Sequence, residues 1–232
     1  MKRKQSGFTL IEIAIVLVII GLLLGGVLKG QELINSAKVK NLAMDFKNIP
    51  VFIYAYQDKF RVLPGDDSNV NIHLDNGTAV ATPAAAANRG NGTIDGSWDS
   101  INATDESVVF WQHVRMAGLT SGQQNITVTG ILDPYFPINA AGGRLGVQGN
   151  LGTAASPNPI AGITGTYVIC SSNIAGKFAK QLDIMLDDGN TDSGSMRVTS
   201  SPAGTAAIPT GQPFVTTVNI NNDALYTVCM GV

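Results

Sequence analysis

The chain has 232 residues and a formal net charge of −2, with 44% hydrophobic and only 14% charged residues, against about 25% charged residues in a typical soluble domain. This composition excludes a disordered polar chain, a coiled coil throughout and a basic nucleic-acid-binding protein. Residues 1–7, 8–28 and 29–61 carry +3, −1 and +3, whereas residues 62–232 carry −7. The charge pattern therefore predicts an acidic globular head on a basic stem with an apolar tip.

A long apolar run lies near the start of the chain. Residues 8–28 contain one charged side chain, that of Glu12, and follow the basic residues Lys2, Arg3 and Lys4. A helix of about 20 apolar residues crosses a bilayer, and the preceding cations predict a cytoplasmic N-terminus with the rest of the chain exported. The run is too long for a cleaved signal peptide and lacks a good Ala-x-Ala site. A plain single-pass anchor is the alternative, but it does not explain Glu12.

Glu12 lies where a carboxylate is unfavourable, at roughly 2.5–3.5 kcal/mol on insertion scales, so we expect it to have a function. The segment Lys4–Glu12, with sequence KQSGFTLIE, resembles the leader and mature start of type IV pilins and of type II secretion pseudopilins. The resemblance comprises the basic leader, the Gly-Phe junction, the Thr-Leu pair and the correctly spaced acidic residue. It covers only the N-terminal end of the chain.

The resemblance implies a processing pathway and a mode of assembly. Residues 1–7 would be a leader, cut after Gly7 by a prepilin peptidase that then N-methylates Phe8, and methylation keeps the positive charge. Glu12 of one subunit would pair with the Phe8 amine of a neighbour and set the register of a helical filament, a contact that propagates without closing. The implied partners are other copies or homologous pilin subunits, the prepilin peptidase and the assembly platform of the inner membrane.

The helical pattern continues beyond the apolar run. Apolar residues recur at alternating intervals of three and four, which predicts one continuous helix face buried under the head. We therefore divide the chain into a leader (1–7), a membrane and assembly helix (8–28), an amphipathic continuation of that helix (29–61) and a globular head (62–232). The apolar face consists of Val39, Leu42, Phe46, Ile49, Ile53, Tyr56 and Phe60.

Turn and capping residues outline the first part of the head. Pro64-Gly65 predicts the end of the long helix. Thr104 is expected to cap a second helix over Asp105–Ala117. Seven glycines between residues 139 and 165 predict a long exposed loop.

The last part of the head is predicted to hold a helix and several strands. Asn173 is expected to cap a helix that ends near residue 187, and Asn221-Asn222-Asp223 predicts a hairpin between the last two strands. Together with the resemblance, these elements imply a pilin-like α+β fold, in which a long N-terminal helix packs on a small antiparallel sheet. The predicted strands are Tyr167–Cys170, Met196–Ser200, Phe214–Ile220 and Ala224–Cys229.

Cys170 and Cys229 are the only cysteines, and their spacing fits neither a CxxC motif nor a zinc site. In an exported head a disulfide is the expected state, and the resemblance supports it, because pilins often tie their C-terminal region with one bridge. Closing a loop of about 60 residues stabilises a fold by about 4 kcal/mol in the chain-entropy model.

An Asp-rich turn is the one candidate ion site. Asp187, Asp188, Asn190 and Asp192 offer oxygen ligands at a predicted helix C-terminus, where carboxylates oppose the helix dipole and Ca²⁺ would compensate. The spacing is not that of an EF-hand and lacks its distal Glu. A solvated turn with Gly189 as the helix C-cap is the alternative, and no other cofactor is expected.

No catalytic signature accompanies these features. The chain lacks G-x-S-x-G, P-loop, H-E-x-x-H and paired-Cys motifs, and His73 and His113 lie in unrelated contexts. We therefore expect a peptidase substrate rather than an enzyme.

Two functions fit the resemblance. One is a structural subunit of a type IV pilus or type II secretion pseudopilus. The alternative is a minor pilin that acts as a membrane-tethered or filament-tip binding module, with the glycine-rich loop as its binding element. Nucleic acid is not an expected partner, because the acidic head repels phosphate. The expected location is the bacterial inner membrane with the head in the periplasm, followed by the pilus or pseudopilus.

Overall fold

The fold is α+β, as predicted. The chain divides into two units, residues 1–40 and residues 41–232. The predicted leader and Phe8 lie outside the residues that the structure describes. The structure is a computed structural model that describes residues 9–74, 84–86, 88–150, 152, 158–200 and 211–232.

The first helix, α1, spans Leu10–Phe60. In the first unit its side chains are exposed without interruption over residues 9–29. In the second unit the predicted apolar face is confirmed, because five of its members are at most 1% exposed and Phe60 is half-buried. The five buried members are Leu42, Phe46, Ile49, Ile53 and Tyr56.

One sheet of four antiparallel strands lies in the head, in the order β1-β2-β4-β3. The C-terminal strand β4 is internal, because it pairs with β2 on one side and with β3 on the other. The strands are β1 (Leu145–Gly149), β2 (Tyr167–Ala175), β3 (Met196–Thr199) and β4 (Leu225–Gly231).

Helices cover this sheet. One of them contacts β1 and another contacts the other three strands. The Tyr54 phenol on α1 lies beside the Tyr167 phenol on β2, so the C-terminal part of α1 also lies near the sheet. The helix against β1 is α3 (Glu106–Met116), the helix against the other strands is α4 (Gly176–Leu186), and the short α2 spans Val70–His73.

The prediction of a long exposed loop over residues 139–165 was wrong in its central part, where β1 lies. Every residue of β1 is buried. A Cβ on Gly146 would collide with the Trp98 carbonyl oxygen. This glycine is needed for close backbone packing and not for loop flexibility, and composition alone does not separate the two uses.

The predicted strand Phe214–Ile220 and its hairpin were also wrong. Both edges of β4 are already paired, so no further strand can join it. The segment instead contains a 3₁₀ turn over Thr217–Asn219. The carbonyls of Asn222 and Ala224 accept the first N–H groups of α4 at 3.1 and 2.9 Å, so the predicted hairpin turn serves as a cap for a helix.

Asn173 does not cap α4, contrary to prediction. It lies within β2 at a shift in strand register, with φ at +61°, and its Nδ2 donates to the Ala141 carbonyl at 2.9 Å. Asparagine tolerates this left-handed conformation better than most residues. Helix α3 begins one residue later than predicted, with Asp105 rather than Thr104 at the N-cap position.

Candidate functional site

The exposed part of α1 is the first candidate site. By length and composition, α1 contains an 18-residue stretch that could cross a membrane, and none of this stretch is buried. A helix that is apolar on all sides is normally covered by lipid or by protein. The predicted processing residues Gly7 and Phe8 precede this segment and lie outside the described residues.

The Glu12 side chain helps to cap the N-terminal end of α1. Its Oε2 accepts hydrogen bonds from the Thr9 N–H at 2.8 Å and from the Thr9 hydroxyl at 2.7 Å. The Glu12 N–H in turn donates to Thr9 Oγ1 at 3.4 Å. This reciprocal pair is a capping box. Sequence reasoning missed the role of Thr9, although the T-x-x-E spacing was a usable signal for it.

Buried polar contacts fix the junction between α1 and the rest of the head. The fully buried Asp67 carboxylate accepts the Tyr56 hydroxyl at 2.8 Å and lies 2.7 Å from His73 Nδ1. The Gly65 N–H donates to Nδ1 of the buried His113 at 2.9 Å. Both histidines therefore have structural partners at this junction.

Buried carboxylates also gather at the start of α3. Asp66 accepts N–H groups from residues 90–92, and the Asp95 N–H donates to Glu106 Oε2 at 2.8 Å. Burial raises the pKa of the Glu106 carboxyl to about 8, and the charges of Asp66, Asp95 and Asp105 add to this effect. The hydrogen bonds of these buried carboxylates hold the loop of residues 90–95 against the start of α3.

The predicted disulfide is present and joins Cys170 to Cys229 across a sequence separation of 59. The two residues are directly opposite each other on β2 and β4 and are fully buried. They form part of a core cluster with Trp98 and Val168. The bridge ties the C-terminal strand to the centre of the head.

The Asp-rich turn contains a group of three carboxylates, which we name the aspartate cluster: Asp183, Asp187 and Asp188. One oxygen from each lies within 4.8 Å of the others. Two of these residues were predicted as ligands. Of the other predicted ligands, Asn190 accepts a hydrogen bond from the Thr217 hydroxyl at 3.2 Å, and Asp192 is not a member of the group.

Asp183 is the member that sequence reasoning missed. It lies in the last turn of α4 and is fully buried. The pKa of its carboxyl is raised to about 6, mainly by burial and in addition by the charges of Asp187 and Asp188. The backbone N–H groups of residues 189 and 190 act in the opposite direction. The spacing of four between Asp183 and Asp187, which places both on one helix face, was the signal available in the sequence.

A cleft of about 400 Å³ opens on the head beside the start of α3, lined in part by Ser97, Asp99, Ser100 and Asn102. The buried Arg144 guanidinium holds this wall in place. It donates to the carbonyls of Asp99 and Ser100 at 3.0 and 2.8 Å. Most of the exposed lining of this cleft is apolar, and Ile101 and Ile131 also border it.

Comparison with known proteins assigns the N-terminal segment. Residues 2–28 match the family described as the prokaryotic N-terminal methylation motif, which is the signature of type IV pilins and pseudopilins. No curated protein and no solved structure matches the chain. The match confirms the predicted resemblance over these residues and supports a pilin-like substrate of prepilin peptidase.

Proposed function

We propose that the chain is a structural subunit, a pilin or pseudopilin, of a type IV pilus or a type II secretion pseudopilus. The observation that carries this proposal is the methylation motif at residues 2–28, which leads into a helix exposed over residues 9–29. Lipid covers that surface before assembly, and the helices of neighbouring subunits cover it in the filament.

The proposed maturation begins at the leader. Prepilin peptidase cuts after Gly7, methylates Phe8 and leaves the whole apolar run on the mature chain. Before assembly the chain is a single-pass protein of the inner membrane, with residues 8–28 in the bilayer and residues 62–232 as a periplasmic head. An assembly platform in the same membrane then moves the subunit into the filament.

Glu12 is proposed to set the filament register. Its described hydrogen bonds all involve Thr9, and among the described residues it makes no salt bridge. Hydrogen bonds to neutral donors leave its negative charge in place, and a charge without a counter-ion is costly in an apolar bundle. The positive amine of Phe8 on a neighbouring subunit would supply the counter-ion.

Glu12→Ala tests this role, with Glu32→Ala as the matched control. Glu32 also lies on α1 and also has a local partner three residues away, Lys29 at 2.6 Å. We expect Glu12→Ala to insert into the membrane as well as the parent chain but to be depleted from sheared filaments, while Glu32→Ala assembles normally. Normal filament yield from Glu12→Ala contradicts the register proposal.

Mass spectrometry tests the processing step separately. The subunit from purified filaments should begin at Phe8 and carry one added methyl group. Gly7→Leu should accumulate as uncut precursor on a gel. Mature-length protein from that variant would show that the cut lies elsewhere.

A binding role is the second candidate, because the cleft bounded by Ser97, Asp99 and Asn102 offers a ligand site on the head. In this case the chain is a minor pilin, present in few copies or at the filament tip. Quantitative mass spectrometry of filaments separates the two functions. A building block forms the bulk of the filament protein, and a binding module is a trace component.

A further inference from the structure

We propose that the cleft beside the start of α3 binds a small aliphatic amine, with the ammonium group at Asp105 and the hydrocarbon chain between Ile101 and Ile131. This ligand class rests on the binding role proposed above as the second candidate function. Binding is measured on the chain itself, whereas filament abundance separates a building block from a minor pilin. Either statement can therefore fail while the other holds.

The cleft has the size of a small-ligand site and apolar walls. Its volume is about 400 Å³, within the range of about 300–1,000 Å³ that is typical of ligand pockets. Ile101 and Ile131 border it, and Ile101 is 50% exposed. Because most of the exposed lining is apolar, the cleft favours a ligand with a hydrocarbon part that leaves water on binding.

The charges around the cleft favour a cation. Asp99 and Asp105 are the only charged residues among the described residues that line it. The charges of Asp66 and Asp95 act on the neighbouring Glu106 together with that of Asp105, so further acids lie close to the same wall. A negatively charged ligand would be repelled here, whereas a positively charged one would be attracted.

Asp105 is the acid that has capacity for a ligand cation. Its carboxylate accepts the Ser100 hydroxyl at 2.6 Å and Asn102 Nδ2 at 2.8 Å, and both donors are neutral. Within the described parts of the chain it forms no salt bridge. A carboxylate has about four lone-pair sites, so acceptor sites remain. The residue is partly exposed, which leaves it accessible to an ammonium group.

Asp99 already has a cation inside the protein. The charge of Asp99 acts on the buried Arg144 guanidinium, which donates to the carbonyls of Asp99 and Ser100 at 3.0 and 2.8 Å. The same guanidinium lies 3.4 Å from the centre of the Phe136 ring. These contacts fix the wall without a ligand, so the cleft is preformed, as most small-molecule sites are.

The loop before the cleft is fitted closely to Asp105. Gly96 has φ at +94°, and a Cβ at this position would lie 2.8 Å from the Asp105 Cβ. Glycine permits both the conformation and the close approach. This packing restricts the position of the Asp105 side chain, and the two hydrogen bonds to its carboxylate orient it.

An alkyl ammonium ion suits this combination of walls and charge. A bare metal ion would gain nothing from the isoleucine walls, and a neutral hydrocarbon would gain nothing from the carboxylate. A primary ammonium group offers three donors on a compact charge, as the lysine side chain does. Its aliphatic chain can lie along apolar surface while the charged end stays at the carboxylate.

Methyl NMR of the full-length chain in detergent, with labelled isoleucine methyl groups, tests the proposal with butylammonium chloride as the probe. We expect the signals of Ile101 and Ile131 to shift and to saturate. The signal of Ile72, which is exposed on the head but does not line the cleft, should not shift. Butan-1-ol has the same chain without the charge and should bind about tenfold more weakly.

Asp105→Asn removes the charge and keeps a residue that is a good helix N-cap. It should weaken butylammonium binding by about tenfold and leave the binding of butan-1-ol unchanged. The matched control Asp223→Asn removes an exposed acid of another turn and should bind both probes like the parent chain.

Ile131→Ser removes one apolar wall and keeps the test decisive if Asp105→Asn folds poorly. Read from the Ile101 signal, it should weaken the binding of both probes by about fivefold. Absence of a saturable shift in the parent chain, equal binding of butylammonium and butan-1-ol, or unchanged binding to both cleft variants would overturn the proposal.

Discussion

The exposed part of α1 and the head differ in where their stabilising contacts lie. Over residues 9–29 every side chain of the stem is exposed, and its described polar contacts are local ones, such as the pair Thr9–Glu12. In the head even acids are buried, among them Asp67, Glu106 and Asp183. The exposed part of α1 therefore has no tertiary contacts that cover its apolar side chains, whereas the head buries both apolar and charged groups through tertiary contacts.

This difference means that the two regions depend on different contacts for their stability. A helix needs only its own backbone hydrogen bonds and caps to form, but an isolated helix is stable only when something covers its apolar face. The stem therefore depends on lipid or on other subunits. The head is held by its own long-range contacts, so changes in the head should alter its melting behaviour and changes in the stem should not.

Loss of the disulfide should have the largest effect on the head. Cys170→Ala combined with Cys229→Ala removes a bridge across 59 residues and should destabilise the head by about 4 kcal/mol. Calorimetry of the full chain in detergent should show a fall in the melting midpoint on the order of 10 °C. The helical circular dichroism signal of the stem should persist through this transition.

Reductant provides the control for that experiment. It should lower the melting midpoint of the parent chain and leave that of the double variant unchanged. Equal melting midpoints for the parent chain and the double variant would mean that the bridge does not stabilise the head.

Glu106 should give the head a pH dependence that the stem lacks. Its pKa is raised from 4.5 to about 8 in the folded head, so the folded state holds a proton that the unfolded state releases. The contribution of Glu106 to the stability of the head is then greatest below pH 4.5 and falls as the pH rises towards 8, by up to about 5 kcal/mol. Chemical denaturation between pH 5 and 8 measures this slope.

Glu106→Gln should flatten that slope, because the amide keeps the acceptor for the Asp95 N–H without ionising. The partly exposed Asp133 is a suitable control, since its hydrogen bonds hold the pKa of its carboxyl below the usual value. Asp133→Asn should therefore keep the parent slope between pH 5 and 8. A Gln variant with the parent slope would assign the pH dependence to other groups.

Removing the cap of α1 should have the smallest effect and should be confined to the stem. Thr9→Val deletes the hydroxyl that pairs with Glu12 and should cost about 1 kcal/mol of local helix stability. Amide hydrogen exchange at Glu12 and Ile13, whose N–H groups bond to Thr9, should accelerate in micelles by roughly fivefold. The melting midpoint of the head should not move.

Thr9→Ser is the matched variant, because it restores the hydroxyl and should restore slow exchange. Unchanged exchange in Thr9→Val would mean that the Thr9–Glu12 pair does not cap the helix.

Secondary structure in the head was only partly predictable. The segments around β2, β3 and β4 were found from their apolar patterns, but β1 was hidden among glycines. Gly146 is required by the Trp98 carbonyl that packs on it, and nothing near Gly146 in the sequence indicates that contact. Likewise, Phe214–Ile220 has the composition of a strand but finds both edges of β4 occupied.

The candidate ion site was also only partly predictable from the sequence. The turn that holds Asp187 and Asp188 was identified from its composition and its position after a helix. Asp183 joined the group only when α4 placed it in the interior beside them. Burial of a particular helix face depends on what packs against it, which the local pattern does not report.

The sequence by itself determined the stem: its apolar run, its helical period, the methylation motif and the position of Glu12. These features are local, since they depend on residues at most a few turns apart. The tertiary structure decided the strand order, the caps of α4, the burial of Glu106 and the convergence of the aspartate cluster. Those features join residues that are distant in sequence, and long-range packing alone determines which of them meet.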